Sequence, residues 1–281
     1  MPSTDVLTSE PRRPRARAGP VALLSEALRD FGTALKMRPV WMALAAEDIG
    51  DAHRRTLLGP VWMLLNYLLY AGTFILLFGR VHGGAGYPAY VAVGLMVWHF
   101  ISETISQSVG LFVREEGFIK GTVLPLSVYV LRQSAQATIR AGYALIGMAG
   151  ILIFSHSSPA LSWLWAIPGA ALVVVTAPAA VILFAIGGII LPDTRYIVGN
   201  LMRLGMFLAP IFWYPSEAGG MRNQVYRWNP FTYYIELVRS PIVAGELPFT
   251  AWQVCIAASL LLWIIALLAL GRYRKQLVFL Y

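Results

Sequence analysis

The sequence carries little charge and almost no cysteine. Only 13% of its 281 residues are Asp, Glu, Lys or Arg, against about a quarter in an average soluble domain. So little charge excludes an ordinary water-exposed surface, and 58% hydrophobic residues place the chain among membrane proteins. The single cysteine, Cys255, excludes an internal disulfide framework and a multi-cysteine metal site. In its apolar run it reads as a small buried hydrophobe. His53, His82, His99 and His156 are scattered and show no metal-ligand spacing. There is no G-x-x-x-x-G-K-[ST] loop to cradle nucleotide phosphates, and Gly83-Gly84-Ala85-Gly86 is a short turn rather than a phosphate motif. A membrane transferase is expected to cluster carboxylates for a divalent cation, yet acidic residues inside the apolar stretches reduce to Glu103. The chain is therefore expected to bind no metal and to have no chemistry of its own.

What is present is apolar length. Residues 1–20 are rich in Pro and Arg (Arg12, Arg13, Arg15, Arg17) and are expected to form a disordered basic tail. Residues 21–59 hold two amphipathic segments, 21–37 and 40–57, too polar to span and expected to lie at the interface. Residues 60–270 then contain six apolar spans at about 60–79, 88–113, 126–154, 161–191, 197–213 and 251–270, followed by a short tail, 271–281. The fourth contains Pro168 and Pro178, which predict a tilt or kink. The fifth is short and carries Asn200 and Arg203, so its start is expected to face protein or water. Lys and Arg fall seventeen on one side of these spans and four on the other, with only Arg140 left inside. The excess predicts that both termini are cytoplasmic.

Three groups of residues stand out. Glu103 and Arg140 lie at comparable depth in adjacent antiparallel spans, and an unpaired charge there is costly, so an ion pair between them is expected. Along span one, Trp62, Asn66, Tyr70 and Phe74 recur at every fourth position, widened by Tyr67. Such a stripe serves either lipid and helix packing or a sugar pathway, where C–H faces stack on rings and hydroxyls find partners. The charged segment 114–125 carries Phe118 and Ile119 flanked by Glu115, Glu116 and Lys120. It reads either as a solvated connector or as a short helix docking into a soluble partner.

From Arg55 onward these residues resemble a known family. Arg55, Thr56, Leu58, Gly59 and Trp62 open span one, with Asn66-Tyr67 where the family has Asn-Pro. Tyr90, Gly94, Leu95, Trp98 and Phe100 follow in span two, and a charged segment ends at Pro125. Asp193 stands at the family's spacing before the run from Pro210 to Pro215. Trp228-Asn229-Pro230-Phe231-Thr232 then precedes Glu236, Arg239 and Gly245. This order resembles the membrane subunits of type-2 ABC exporters, especially those that export lipid-linked O-antigen, capsule or teichoic polymers. The resemblance covers about residues 41–278.

It implies an all-α membrane protein with six transmembrane helices and an outer re-entrant hairpin before the last. The chain would form a homodimer with two copies of a separate ATPase in the bacterial inner membrane. It would bind no cofactor itself, ATP and magnesium belonging to the partner subunit. Arg54, Arg55, Thr56, Leu58 and Gly59 would form a cytoplasmic gate. Residues 114–125 would couple to the ATPase. Trp62, Asn66, Tyr67, Tyr70, Phe74, Tyr90, Trp98, Phe100, Phe207 and Trp213 would line the path of a lipid-linked glycan. A drug or small-lipid exporter of the same superfamily, a membrane transferase acting on a lipid-linked glycan, and a passive channel stand as alternatives.

Overall fold

A computed structural model describes residues 19–82, 84, 86–215 and 220–279. The arginine-rich tail up to residue 18, and Gly83 and Ala85 of the glycine-rich turn, lie outside these. Regular structure among the described residues is helical throughout. Helices α1 (Pro20–Lys36) and α2 (Arg38–His53) are separated only at Met37. Pro39, in the first turn of α2, offers no amide hydrogen and disfavours helix at the residue before it, so one helix stops and another starts. α2 ends at His53, short of the expected residue 57, and residues 54–60 form consecutive turns.

Asp30 explains how α1 is held. Its side chain is buried; Oδ2 accepts from Ser127 N (3.0 Å) and Ser127 Oγ (2.7 Å), and Oδ1 lies 3.1 Å from Arg274 Nη2. Ser127 begins α7 (Leu126–Phe154), so a carboxylate from α1 caps an amide that the helix itself leaves unpaired. Arg274 belongs to α12 (Phe249–Phe279). α1 is thereby fixed between the start of one long helix and the end of another.

The remaining helices are α3 (Val61–His82), α4 (Tyr87–Ser108), α5 (Leu111–Arg114), α6 (Glu116–Gly121), α8 (Ala166–Ile190), α9 (Thr194–Leu208), α10 (Met221–Trp228) and α11 (Pro230–Val243). A 3₁₀ turn, Leu161–Trp165, leads into α8. Among the described residues, five helical stretches are long and apolar enough to cross a membrane: Val61–Gly79, Tyr87–Ser108, Leu126–Phe154, Leu161–Ile190 and Phe249–Arg274. The second stops before the expected residue 113, because the chain breaks at Val109-Gly110 and re-forms as α5. α9 is not among the five. Its 15 residues cover about 22 Å, and the helix ends at Leu208, two residues before Pro210. Pro178 sits inside α8, whereas Pro168 falls in its first turn, where no internal hydrogen bond is lost.

α4 is the central helix, buried along most of its length against α3, α7, α8 and α11. Without a hydrophobic drive between helices in lipid, close packing has to hold them, and small residues mark the crossings. A Cβ on Gly188 of α8 would stand 1.9 Å from Val109 O, and one on Gly205 of α9 would stand 2.6 Å from the Trp98 ring. α4 also acts as a ruler. Gly94 faces Arg239, Trp98 meets the edge of Phe231, and Val109 faces Gly188. α11 therefore starts level with the middle of α4 and runs toward the Tyr87 end.

Candidate functional site

The turns between α2 and α3 place Arg54, Arg55, Thr56, Leu57 and Leu58 at the surface. Arg54 Nη2 pairs with Asp51 Oδ1 at 3.0 Å, and Thr56 Oγ1 donates to His53 O at 2.9 Å. Gly59 has φ +55° with nothing within 4 Å of a Cβ built there. The glycine is thus required by backbone conformation, not by space. Pro60 follows and α3 begins at Val61.

The aromatic stripe of α3 divides. Trp62, Asn66 and Tyr70 are exposed on one face. Tyr67 is buried, donating to Ala92 O at 2.7 Å, with its ring over Gly147 of α7. Phe74 turns inward and stacks on Phe212 with centroids 3.7 Å apart. On α4, Tyr90, Trp98 and Phe100 are all buried. Phe207 is 60% exposed, and Trp213 donates from Nε1 to Phe207 O at 3.0 Å. Trp62, Asn66, Tyr70 and Phe207 are thus open to the surroundings, and the other six named path residues are packed in or partly packed.

A second open stripe lies on α9. Its packed face is Val198, Met202, Gly205 and Met206, leaving Tyr196, Asn200, Arg203 and Phe207 outward at i, i+4, i+7 and i+11. Beside it runs an apolar row, Ile197, Leu201, Leu204 and Leu208, also exposed. On α4, His99 and Gln107 are exposed and bracket Glu103 at four-residue spacing. Arg140 Nη1 lies 2.9 Å from Glu103 Oε1, off the direction of a hydrogen bond, and Arg140 Nη2 donates to Gln136 Oε1 at 3.3 Å. Tyr196, His99 and Gln107 were not singled out from sequence; the helical period of polar residues around Asn200 and Arg203 was the available signal.

Arg239 is the largest fully buried side chain. Its guanidinium pairs with Glu236, donates to Pro210 O and lies 3.9 Å over the Tyr90 ring. Glu236 also accepts from Ser240 Oγ (2.6 Å) and Tyr226 OH (3.3 Å). Tyr90 OH lies 2.9 Å from both Pro210 O and Trp213 O, which share its one hydrogen, and Tyr87 OH donates to Phe212 O at 3.0 Å. The non-helical run after α9 leaves carbonyls without ladder partners, and these side chains supply the donors that apolar surroundings would not. Asn229 Oδ1 accepts from Phe231 N at 3.0 Å, with Pro230 next, so the cap and proline together start α11.

In the segment after α4, Phe118 is 58% exposed and Val123 fully so, while Ile119 is half-buried. Lys120 and Glu116 pair at 2.6 Å, one helical turn apart. Burial pushes the Arg114 guanidinium below its ordinary value, with Glu115 acting in the opposite sense. The residue that ties this segment down is Arg132 of α7. Its Nε and Nη2 both reach Asp48 of α2 at 2.6 Å, and its Nη1 lies 2.8 Å from Glu115 Oε2. The Arg132 guanidinium also lies 5.9 Å from the centroid of the Phe118 ring. Neither Asp48 nor Arg132 had more than a place in the charge pattern of the sequence. Among the described residues, no three His, Cys, Asp or Glu gather where they would hold a metal ion.

No family model matches the chain. Two curated proteins of Klebsiella pneumoniae do, both named O-antigen export system permease protein RfbA. One is 22% identical and the other 21%, each over 239 residues, or 84% of this chain and 92% of the relative. Over most of its length the chain is thus similar to permease proteins of O-antigen export systems.

Proposed function

We propose that this permease carries a lipid-linked polysaccharide or polyol-phosphate polymer outward across the bacterial inner membrane. It would act as a homodimer driven by two copies of a separate ABC ATPase that hold the ATP and magnesium. The observation that carries this reading is the exposed polar and aromatic surface at membrane depth. Arg203, two residues from the Gly205–Trp98 crossing halfway along α4, is exposed. A charged side chain at that depth is strongly unfavourable against lipid, so this face of α9 borders water or cargo. Tyr196, Asn200 and Phe207 on α9, with Trp62, Asn66 and Tyr70 on α3, supply the rings and hydrogen-bonding groups that sugars need. In the same reading Tyr67, Phe74, Tyr90, Trp98, Phe100 and Trp213 hold the wall from behind.

The same ruler supports a finer topology, in which α9 with the non-helical run behind it would make the sixth crossing and α10–α11 would form a hairpin that enters from the outer side to mid-depth and returns. The excess of Lys and Arg supports cytoplasmic termini. The turn 54–60 serves as the gate and Phe118 with Ile119 as the knob seated in the ATPase. Purified permease–ATPase complex in lipid nanodiscs tests this directly. Lipid-linked glycan is expected to stimulate ATP hydrolysis where hydrophobic drugs do not; stimulation by drugs alone would assign the drug-exporter reading, and glycan transfer without ATP the transferase reading.

A further inference from the structure

We propose that the cavity beneath α11 is a binding site for one acyl chain of a bilayer phospholipid. The proposal requires the chain to lie in the membrane and does not depend on what it transports. Because α11 begins only halfway along α4, the space between α4, α8 and α12 below its first turn has no helix in it. A cavity of about 270 Å³ remains there, bounded by Phe100, Thr104, Ala177, Phe184, Phe231 and Leu262.

Water does not suit this space. A buried water needs two to four polar partners, and two of the three side-chain hydroxyls that line the cavity are already engaged. Thr176 Oγ1 bonds to Leu172 O and Ser259 Oγ, both at 2.7 Å, and Tyr234 OH to Ser259 Oγ at 2.8 Å. Among the described residues lining it, Thr104 Oγ1 is the polar side-chain atom left buried without a partner, and one hydroxyl cannot hold a water. Apolar cavities of about 150 Å³ stay dry and take up a benzene, so 270 Å³ accommodates on the order of ten carbons by proportion. The mouth opens past exposed Pro230 and half-buried Phe184 and Leu262, and three helices that each meet the length for crossing surround it. The medium at that mouth is hydrocarbon, which makes a lipid chain the occupant.

The test uses full-length protein extracted from its membrane in mild detergent, with native mass spectrometry to count retained phospholipid. Wild type is expected to keep about one phospholipid per chain after extensive washing. Ala177→Phe fills the cavity and is expected to lose it, while Ile264→Phe on the exposed face of α12 keeps it. Ala258→Leu, a smaller filling from α12, gives the same loss if Ala177→Phe accumulates poorly. Added phospholipid raises the melting midpoint of delipidated wild type and leaves that of the filled variants unmoved. Equal retention by wild type and the filled variants, no retained phospholipid in wild type, or retention of a polyprenyl lipid instead would overturn the proposal.

Discussion

Replacing Arg132 by glutamine removes the cation shared between Asp48 on α2 and Glu115 at the start of α6. Three contacts of 2.6, 2.6 and 2.8 Å are lost or weakened. The side chains of Arg132 and Glu115 are each 12% exposed and that of Asp48 is 28% exposed. Breaking a fully buried pair costs about 3–5 kcal/mol, whereas surface pairs are worth under about 1 kcal/mol. With Asp48 partly open to solvent, the expected loss for Arg132→Gln is about 2–3 kcal/mol, between those limits. Asp48→Asn removes part of the same interaction, so the double variant is expected to fall short of the summed losses by at least about 1 kcal/mol. Unfolding midpoints in detergent give the energies, and parallel assays of ATP hydrolysis and export give the consequence. Hydrolysis should persist while export falls if, as proposed, α2 leads into the gate and α6 carries the docking knob. An Arg132→Gln variant within about 0.5 kcal/mol of wild type, or an additive cycle, would refute the clamp.

Phe118→Asp with Ile119→Asp is expected to abolish copurification with the ATPase; an intact complex would contradict the docking role. Trp62→Ala with Tyr70→Ala should impair export while assembly persists, as measured by glycan at the cell surface; normal export would mean that this face touches lipid. Gly188→Ala drives a Cβ into Val109 O and should destabilise by about 1–3 kcal/mol, whereas Gly187→Ala, whose Cβ meets only Thr194 Cγ2 at 3.9 Å, should be neutral or slightly stabilising in a melting assay. Gly59→Ala forces a left-handed conformation and should cost about 1–2 kcal/mol, with Gly59→Asn recovering much of it; equal effects of the two substitutions would refute the backbone reading.

Much of the architecture was legible because membrane helices announce themselves by apolar length, and α3, α4, α7, α8 and α12 each overlie one of the stretches expected, although α3 and α12 run on past their ends to His82 and Phe279. α9 resisted that reading. Its apolar run continued through Ala209-Pro210-Ile211-Phe212, but those residues are held by Arg239, Tyr87 and Tyr90 rather than by a helix, and tertiary donors leave no local signature. The aromatic stripe of α3 showed the same limit. Four-residue spacing drifts around a helix, so Phe74 ends against Phe212 while Trp62 and Tyr70 stay outside. The Arg132 clamp joins residues 84 positions apart, and nothing in the charge pattern distinguishes Asp48 from Glu47 or Asp51. Asn229 with Pro230, by contrast, was readable because capping is a local event.

ATP-driven export along α3 and α9 is tested most directly by reconstituting the permease with its ATPase in proteoliposomes. Transfer of a lipid-linked glycan to the far leaflet would be followed in wild type and in Arg203→Glu. ATP-dependent transfer by wild type, lost in Arg203→Glu while the complex stays assembled, is the predicted result. Transfer that needs no ATP, or that proceeds unchanged in Arg203→Glu, would contradict it.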